Sequence, residues 1–407
     1  MVKLYDNLKV LFASFGIIIF LLFCCTQQEN TSSRSLVIPE AKPLEKIFDF
    51  TRYIDHIEYI PLQDTIFLEG VSRIYFCDDL MIIRDQKNRS DRIHFFDLEG
   101  NYLYSDNHIL EGYPPSDPFG MTSLPDFALD CPNKTLYLSD ISRNHIVEYH
   151  IPTRTKLRKF DNIRGQALHH KDSLLYVLTI DKEDGMLKLY NTYTNEKVGE
   201  FIYDEKQDVG GGSTSSQMVN VEDGVVISLL NSDTIYKVVQ NICEPYIALG
   251  NDENTSARYF HFMDVLQSYS GNKNDKFPQL MIPMGEITSI EGLLVLPMMN
   301  RRVLFIDMQN GKAYSLHREF ISGRNLLFSF STYIFYGVGH HDGLYHGSIK
   351  LSNSFYKHAK QIIHEEPDHP LRQALSAFLD EYPPERNFQN PVITRFKISD
   401  DFMEAFR

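Results

Sequence analysis

The chain has 407 residues, 40 of them Lys or Arg and 54 Asp or Glu, for a formal charge of -14. That acidic surplus excludes a nucleic-acid surface and a basic patch for anionic lipid. Phe (28) and Tyr (23) are plentiful and suit packed strands, while the absence of Trp argues against a sugar-stacking platform.

Lys3 and Lys9 precede an apolar run from Val10 to Cys25, VLFASFGIIIFLLFCC. The run has the length of a signal-peptide core and falls short of a span of roughly 20 residues. Polar residues from Thr26 to Ser33 follow, with no basic flank to stop transfer. Leu22-Phe23-Cys24-Cys25 resembles a bacterial lipoprotein box, with Cys24 standing where a small residue is usual. The expectation is therefore a signal peptide over 1–25, lipidation at Cys25, a flexible tether over 26–36 and one domain over 37–407. The lipid would hold the chain on a membrane, and the outer membrane of the cell envelope is the expected location.

One phrase then recurs: an apolar strand, a tight acidic or Gly turn, a second strand, and a hairpin ending in a charged strand. Its clearest copies are Ser72–Tyr104, Asp126–Phe160, Gln166–Ile202, Met218–Leu249 and Ile287–Leu316. Apolar runs bounded by Asp, Asn and Gly are strand and hairpin signals. Equivalent third strands centre on Phe96, Tyr149, Tyr190, Tyr236 and Phe305, at steps of 53, 41, 46 and 69 residues. A four-stranded propeller blade takes roughly 40–50 residues, so the last step carries an insertion of about 25, near 251–284. A degenerate sixth copy fits Phe328–Ile349, with strands at Tyr333–Tyr336 and Leu344–Ile349.

A ring must join its ends or leave strand edges bare. Ile57–Leu62 and Pro391–Ile398 are isolated strands at the two ends of the domain, and both are expected to complete the last blade. A helix from about Pro370 to Asp380 lies between them, with Leu371, Leu375, Phe378 and Leu379 as one apolar stripe that packs on the ring. The fold class predicted is all-β, a six-bladed β-propeller with a short C-terminal helix and an insertion between blades 4 and 5.

The phrases Ile57–Leu62, Ile93–Gly100, Asp126–Asp140, Ser232–Tyr236 and Asn390-Pro391-Val392, in that order, resemble the six-bladed β-propeller lipoproteins of Bacteroides-type bacteria. The likeness spans most of 38–398. It departs at His108–Ser123, where a Gly-rich segment is common in the family, and at Gly339–Gly343. The resemblance implies the fold and the anchor, and transfers no catalytic residue.

Chemistry-bearing clusters are sparse. His340-His341-Asp342, with His346 beyond, is the best set of metal-type side chains, but adjacent His residues on a strand face opposite ways and the run reads as a hairpin turn. His169-His170 reads likewise. Asp130, Asp140, Asp233 and Asp307 flank inner strands and are the candidates for a channel calcium ion, against the plainer reading of turn and strand-end residues. The expectation is no cofactor and no resident metal. Cys77, Cys131 and Cys243 are read as buried thiols rather than as a disulfide or metal set. The Gly-rich run 209–213 lacks the strand and helix of a phosphate loop, and no nucleophile elbow, HExxH or catalytic carboxylate pair is present.

The function expected is a non-enzymatic binding or scaffold protein for a small-molecule, glycan or protein ligand. The alternative is a lyase or hydrolase using a divalent ion in the channel. Short hairpins such as Asp78-Asp79 and Asn310-Gly311 leave little room for a site, so recognition is expected at 105–124, 205–217 and 251–284, with Tyr113, Phe119, Tyr259, Phe260 and Phe262 as contacts.

Overall fold

The computed structural model describes residues 36–44, 46–68, 71–87, 90–105, 126–140, 144–179, 186–201, 218–229, 232–250, 281, 283, 287–298, 302–328, 339–386 and 388–406. Three strands open the chain: β1 (Leu36–Ile38), β2 (Lys42–Leu44) and β3 (Ile54–Pro61). Blade 1 is β4 (Val71–Cys77), β5 (Leu80–Lys87), β6 (Ser90–Asp97) and β7 (Tyr102–Ser105). Blade 2 is β8 (Phe127–Asp130), β9 (Thr135–Asp140), β10 (His145–His150) and β11 (Thr155–Asp161). Blade 3 is β12 (Gly165–Lys171), β13 (Leu174–Thr179), β14 (Leu187–Asn191) and β15 (Lys197–Phe201). Blade 4 is β16 (Met218–Val221), β17 (Gly224–Ser228), β18 (Thr234–Val239) and β19 (Ile242–Leu249). Blade 5 is β20 (Thr288–Ile290), β21 (Leu293–Pro297), β22 (Arg302–Asp307) and β23 (Ala313–His317). Blade 6 is β24 (Gly339–His341), β25 (Leu344–Ile349) and β26 (Val392–Ile398), completed by β3. Each legible repeat copy is thus one blade, and both end strands close the sixth.

The middle strands β9 and β17 are buried throughout, because each is sandwiched between neighbouring blades. That explains their unbroken apolar runs. The outer strands differ. β11 carries Lys156, Arg158 and Lys159 and is largely exposed, a charged edge that discourages pairing with other chains. β19 and β23 are covered instead. β1 adds in parallel to β19 through Leu36↔Ile247 and Ile38↔Leu249, and β2 adds to β23 through Lys42↔Tyr314 and Leu44↔Leu316. The first segment of the domain therefore runs across the edges of blades 4 and 5 before entering blade 6. Leu36, placed at the end of the tether by sequence, already belongs to β1.

Two helices join β25 to β26. The second, α2 (Arg372–Glu381), is the one expected, and Leu371, Leu375 and Phe378 are buried, with the Phe378 ring 5.0 Å from Tyr59 of β3. The first, α1 (Asn353–Glu365), is a further helix in the same connection that the sequence reading did not place. Ser352 caps it by accepting from the Phe355 amide at 3.2 Å, and it buries Phe355, Ala359 and Ile362 in the same core. Among the described residues no helix is long and apolar enough to cross a membrane.

A correction concerns the thiols, which are not all free as expected. Cys77 at the end of β4 and Cys131 just after β8 form a disulfide, with Cα atoms 5.4 Å apart. The sequence separation of 54 hid the pairing, because both cysteines occupy the same place in successive blades and only the packing of those blades brings the places together. Cys243 is a free, partly buried thiol, pushed up to about 12 by burial.

Candidate functional site

The first strand of each blade faces the axis, and five of them, with their turns, line a cavity of about 790 Å³. Its wall includes Arg73 and Tyr75 of β4, His169 of β12, Asn220 of β16, Thr288 and Ser289 of β20, and His340 of β24, with Tyr345 and His346 from β25. It reaches the short first turns of blades 4 and 5 at Glu222, Asp223, Glu291 and Gly292, and spreads between those blades to Lys237, Tyr246, Met308 and Gln309. This volume is ordinary for a small-molecule site.

Polar side chains fix the wall by bridging blades. Arg73 pairs with buried Asp126, whose other oxygen accepts from the Leu168 amide at 2.8 Å, so one carboxylate ties blades 1, 2 and 3. His169 Nε2 lies 2.9 Å from Asn220 Oδ1, joining blades 3 and 4. The Tyr345 hydroxyl donates to Glu291 Oε1 at 3.1 Å, joining blades 6 and 5. His346 Nε2 lies 3.1 Å from the Ile74 carbonyl, joining blades 6 and 1, and so carries its proton there. The boundary between blades 4 and 5 is packed instead by Val219, Val221, Ile287 and Leu294, and the cavity widens along it.

Burial keeps the channel imidazoles neutral. His346 is pushed down to about 3 and His169, ringed by protein though partly open to the channel, to about 4. His340 is lowered by burial, against the opposing pull of Glu291. Of the two cations in the wall, Arg73 is matched by Asp126 and Lys237 by Asp223, 2.7 Å away. Lys171 donates to the Val221 and Gly224 carbonyls beside Glu222, at 2.8 and 2.9 Å, which leaves Glu291 as the carboxylate without a nearby cation among the described wall residues.

The structure separates the metal-type candidates. His340 packs against the Tyr345 ring at 4.8 Å and lines the cavity, whereas His341 stacks over Phe76 at 6.2 Å and pairs with Asp342 at 3.2 Å. Asp342 has φ 50° and Gly343 φ 75°, so the run is a tight turn between β24 and β25. The four calcium candidates do not meet either. Asp307 accepts from the Gln309 and Asn310 amides and Asn310 Nδ2 in its own turn, Asp130 does the same for Asn133, Asp140 lies 3.5 Å from His145, and Asp233 accepts from Thr234. Among the described residues, the group close enough to share an ion is Cys77, Asp78 and Cys131, whose sulfurs are taken by the disulfide.

Cys25, Tyr113, Phe119, Tyr259, Phe260 and Phe262 lie outside the described residues, as do most of 105–124, 205–217 and 251–284. The strand order does fix their anchors. Each segment joins the outer strand of one blade to the inner strand of the next, so all three leave from the same end of the ring, opposite the turns that the cavity reaches. Sequence reading passed over those turns as too short for a site. They need no length of their own, because the space lies between blades. His169, His340 and His346 stand out in the sequence as metal-type side chains rather than as wall residues; Arg73, Asn220 and Glu291 carry no local signal.

Six sheets round a channel, four of four strands and two widened to five by β1 and β2, with β3 and β26 closing the last, define a six-bladed β-propeller. The chain belongs to the DUF5128 family, described as a 6-bladed beta-propeller, which matches residues 26–325. No curated protein matches the chain. Among solved structures it is similar to a Bacteroides fragilis protein described as exported, at 14% identity and TM-score 0.58, covering 89% of this chain and 100% of that one. It is also similar to BamB from Moraxella catarrhalis, at 12% identity and TM-score 0.40, covering 61% of this chain and 65% of that one. The extracellular domain of a one-component system from B. thetaiotaomicron matches at 10% identity and TM-score 0.39, covering 64% of this chain and 29% of that one. The first of these likenesses concerns the fold alone, and the other two are too distant to carry an argument.

Proposed function

We propose that this chain is a lipid-anchored binding protein of the cell envelope that holds a small ligand in its propeller channel. The observation that carries the reading is the 790 Å³ cavity, whose wall is held in place by polar bridges between blades. Bridged walls are preorganised, which lowers the ordering cost of binding. An ion-dependent lyase or hydrolase asks for imidazoles or carboxylates that converge. Here His169 and His346 are each committed to a different blade boundary, so binding is the better fit.

The location rests on two features. Leu22-Phe23-Cys24-Cys25 and the polar run after it suit lipidation at Cys25. The Cys77–Cys131 disulfide suits an oxidising compartment, and it is independent of the leader. The likeness to a protein described as exported agrees with both. Fatty-acid labelling that disappears in Cys25→Ala supports the anchor; retained labelling moves it to Cys24, and a parent chain that takes no label removes it. For the site, a thermal-shift screen of small molecules is run on the chain and on Ser289→Trp, which fills the cavity. A ligand that raises the melting temperature of the first and not of the second supports the channel. Equal shifts in both contradict it.

A further inference from the structure

We propose that the channel cavity selects small organic cations over anions. The inference rests on the channel being the binding site and names the class of ligand it takes. Charge is the first argument. The wall's guanidinium and ammonium groups are both neutralised within the protein, Arg73 by Asp126 and Lys237 by Asp223. Lys171, whose ammonium donates to the Val221 and Gly224 carbonyls at 2.8 and 2.9 Å, offsets the turn that carries Glu222, so Glu291 remains at the mouth as the exposed carboxylate with no cation of the described wall against it. A concave, protein-walled space concentrates such a field, so an incoming anion is repelled and a cation is drawn in. The imidazoles add no positive charge near neutral pH, since burial lowers His169, His340 and His346.

The second argument is that the cleft already holds an ammonium. Lys237 Nζ sits 4.8 Å over the Tyr246 ring and against the Asp223 carboxylate. An aromatic face beside a carboxylate is the arrangement that recognises alkylammonium groups. Glu291 is held in place across the blade 5–6 boundary, since the Tyr345 hydroxyl donates to its Oε1 while the Tyr345 ring is packed between His340 and Phe396, and Oε2 is left to a ligand. Asn220, Ser289 and Gln309 supply neutral hydrogen-bonding groups between the two.

The test uses probes matched in size and opposed in charge: putrescine against succinate, and glucosamine against glucuronate, with glucose as the neutral member. Binding is followed by calorimetry at low ionic strength on the chain, on Glu291→Gln and on Ser289→Trp. The Gln variant keeps an oxygen for the Tyr345 hydroxyl and removes only charge. Expected results are a cation of at least one pair bound about tenfold or more tighter than its anion, about tenfold weakening in Glu291→Gln, and loss in Ser289→Trp. Ser289→Leu replaces the Trp variant if the latter fails to melt cooperatively. Anion binding as tight as cation binding overturns the inference, as does cation binding that Glu291→Gln leaves unchanged, or no binding by any probe at about 10 mM. A neutral or anionic probe that binds the chain and not Ser289→Trp removes the cation selection while leaving the channel reading standing. Binding that survives Ser289→Trp removes the channel reading itself.

Discussion

The ring is held at two boundaries by opposite means. Blade 6 is closed by backbone: β26 pairs with β25 on one side and with β3 on the other, from Val392↔Pro61 to Ile398↔Ile54. Asn390 then secures the crossing to blade 1, donating to the Gln63 and Ile66 carbonyls at 3.0 and 2.7 Å and accepting from the Leu68 amide at 3.0 Å. The boundary between blades 1 and 2 is closed by side chains, through the Cys77–Cys131 disulfide and the buried Arg73–Asp126 pair. Backbone closure needs long matching strands and is distributed over many groups. Side-chain closure depends on a few residues and on the redox state of the compartment. The first boundary should therefore fail all at once, the second in separable steps.

The largest effect is expected from deleting 391–407. It removes β26, strands β25 and β3 lose their shared partner, and cooperative unfolding should disappear in calorimetry; unchanged melting would mean that the ring closes elsewhere. Next comes Cys77→Ser with Cys131→Ser. A cross-link spanning 54 residues is worth about 4 kcal/mol through the denatured chain, so denaturant midpoints should fall by that equivalent while the folded spectrum is kept. Reducing agent should do the same to the parent chain and nothing to the variant. Asn390→Ala follows, at about 3 kcal/mol, because three backbone groups lose a buried partner at once.

The smallest effect is set by pH. His346 is held neutral in the folded ring down to about 3, against 6.5 when unfolded. Between these values the unfolded chain takes a proton that the folded chain refuses, so stability falls as pH drops below 6.5. The loss should reach about 2 kcal/mol by pH 5 from this residue. Urea unfolding at pH 7 and pH 5 measures it, and His346→Gln should shrink the difference by about that amount, leaving the share of His169.

The two boundaries also show what a sequence displays. Ile57–Leu62 and Pro391–Ile398 were legible as closing strands because a strand carries its pattern locally, and the five repeat copies fell one to a blade for the same reason. Cys77 with Cys131, and Arg73 with Asp126, carry no local pattern; the pairing exists only once successive blades are side by side. The segment α1 was missed because Asn353–Glu365 reads as polar and buries only Phe355, Ala359 and Ile362. The covering strands β1 and β2 are three residues each, too short to show a period. The cavity was the least legible feature. Its wall draws one to four residues from each of five inner strands, and those residues, such as Asn220, and the turn residue Glu291 look like ordinary turn and edge positions in the chain.

Hydrogen exchange with and without the probe that gives the largest melting shift tests the channel site most directly. Slowed exchange in β16, β20 and β24 and in the turns at 222–223 and 291–292 is the expected result, since these surround the cavity. Protection confined to 105–124, 205–217 and 251–284 would contradict it and move recognition to the opposite end of the ring.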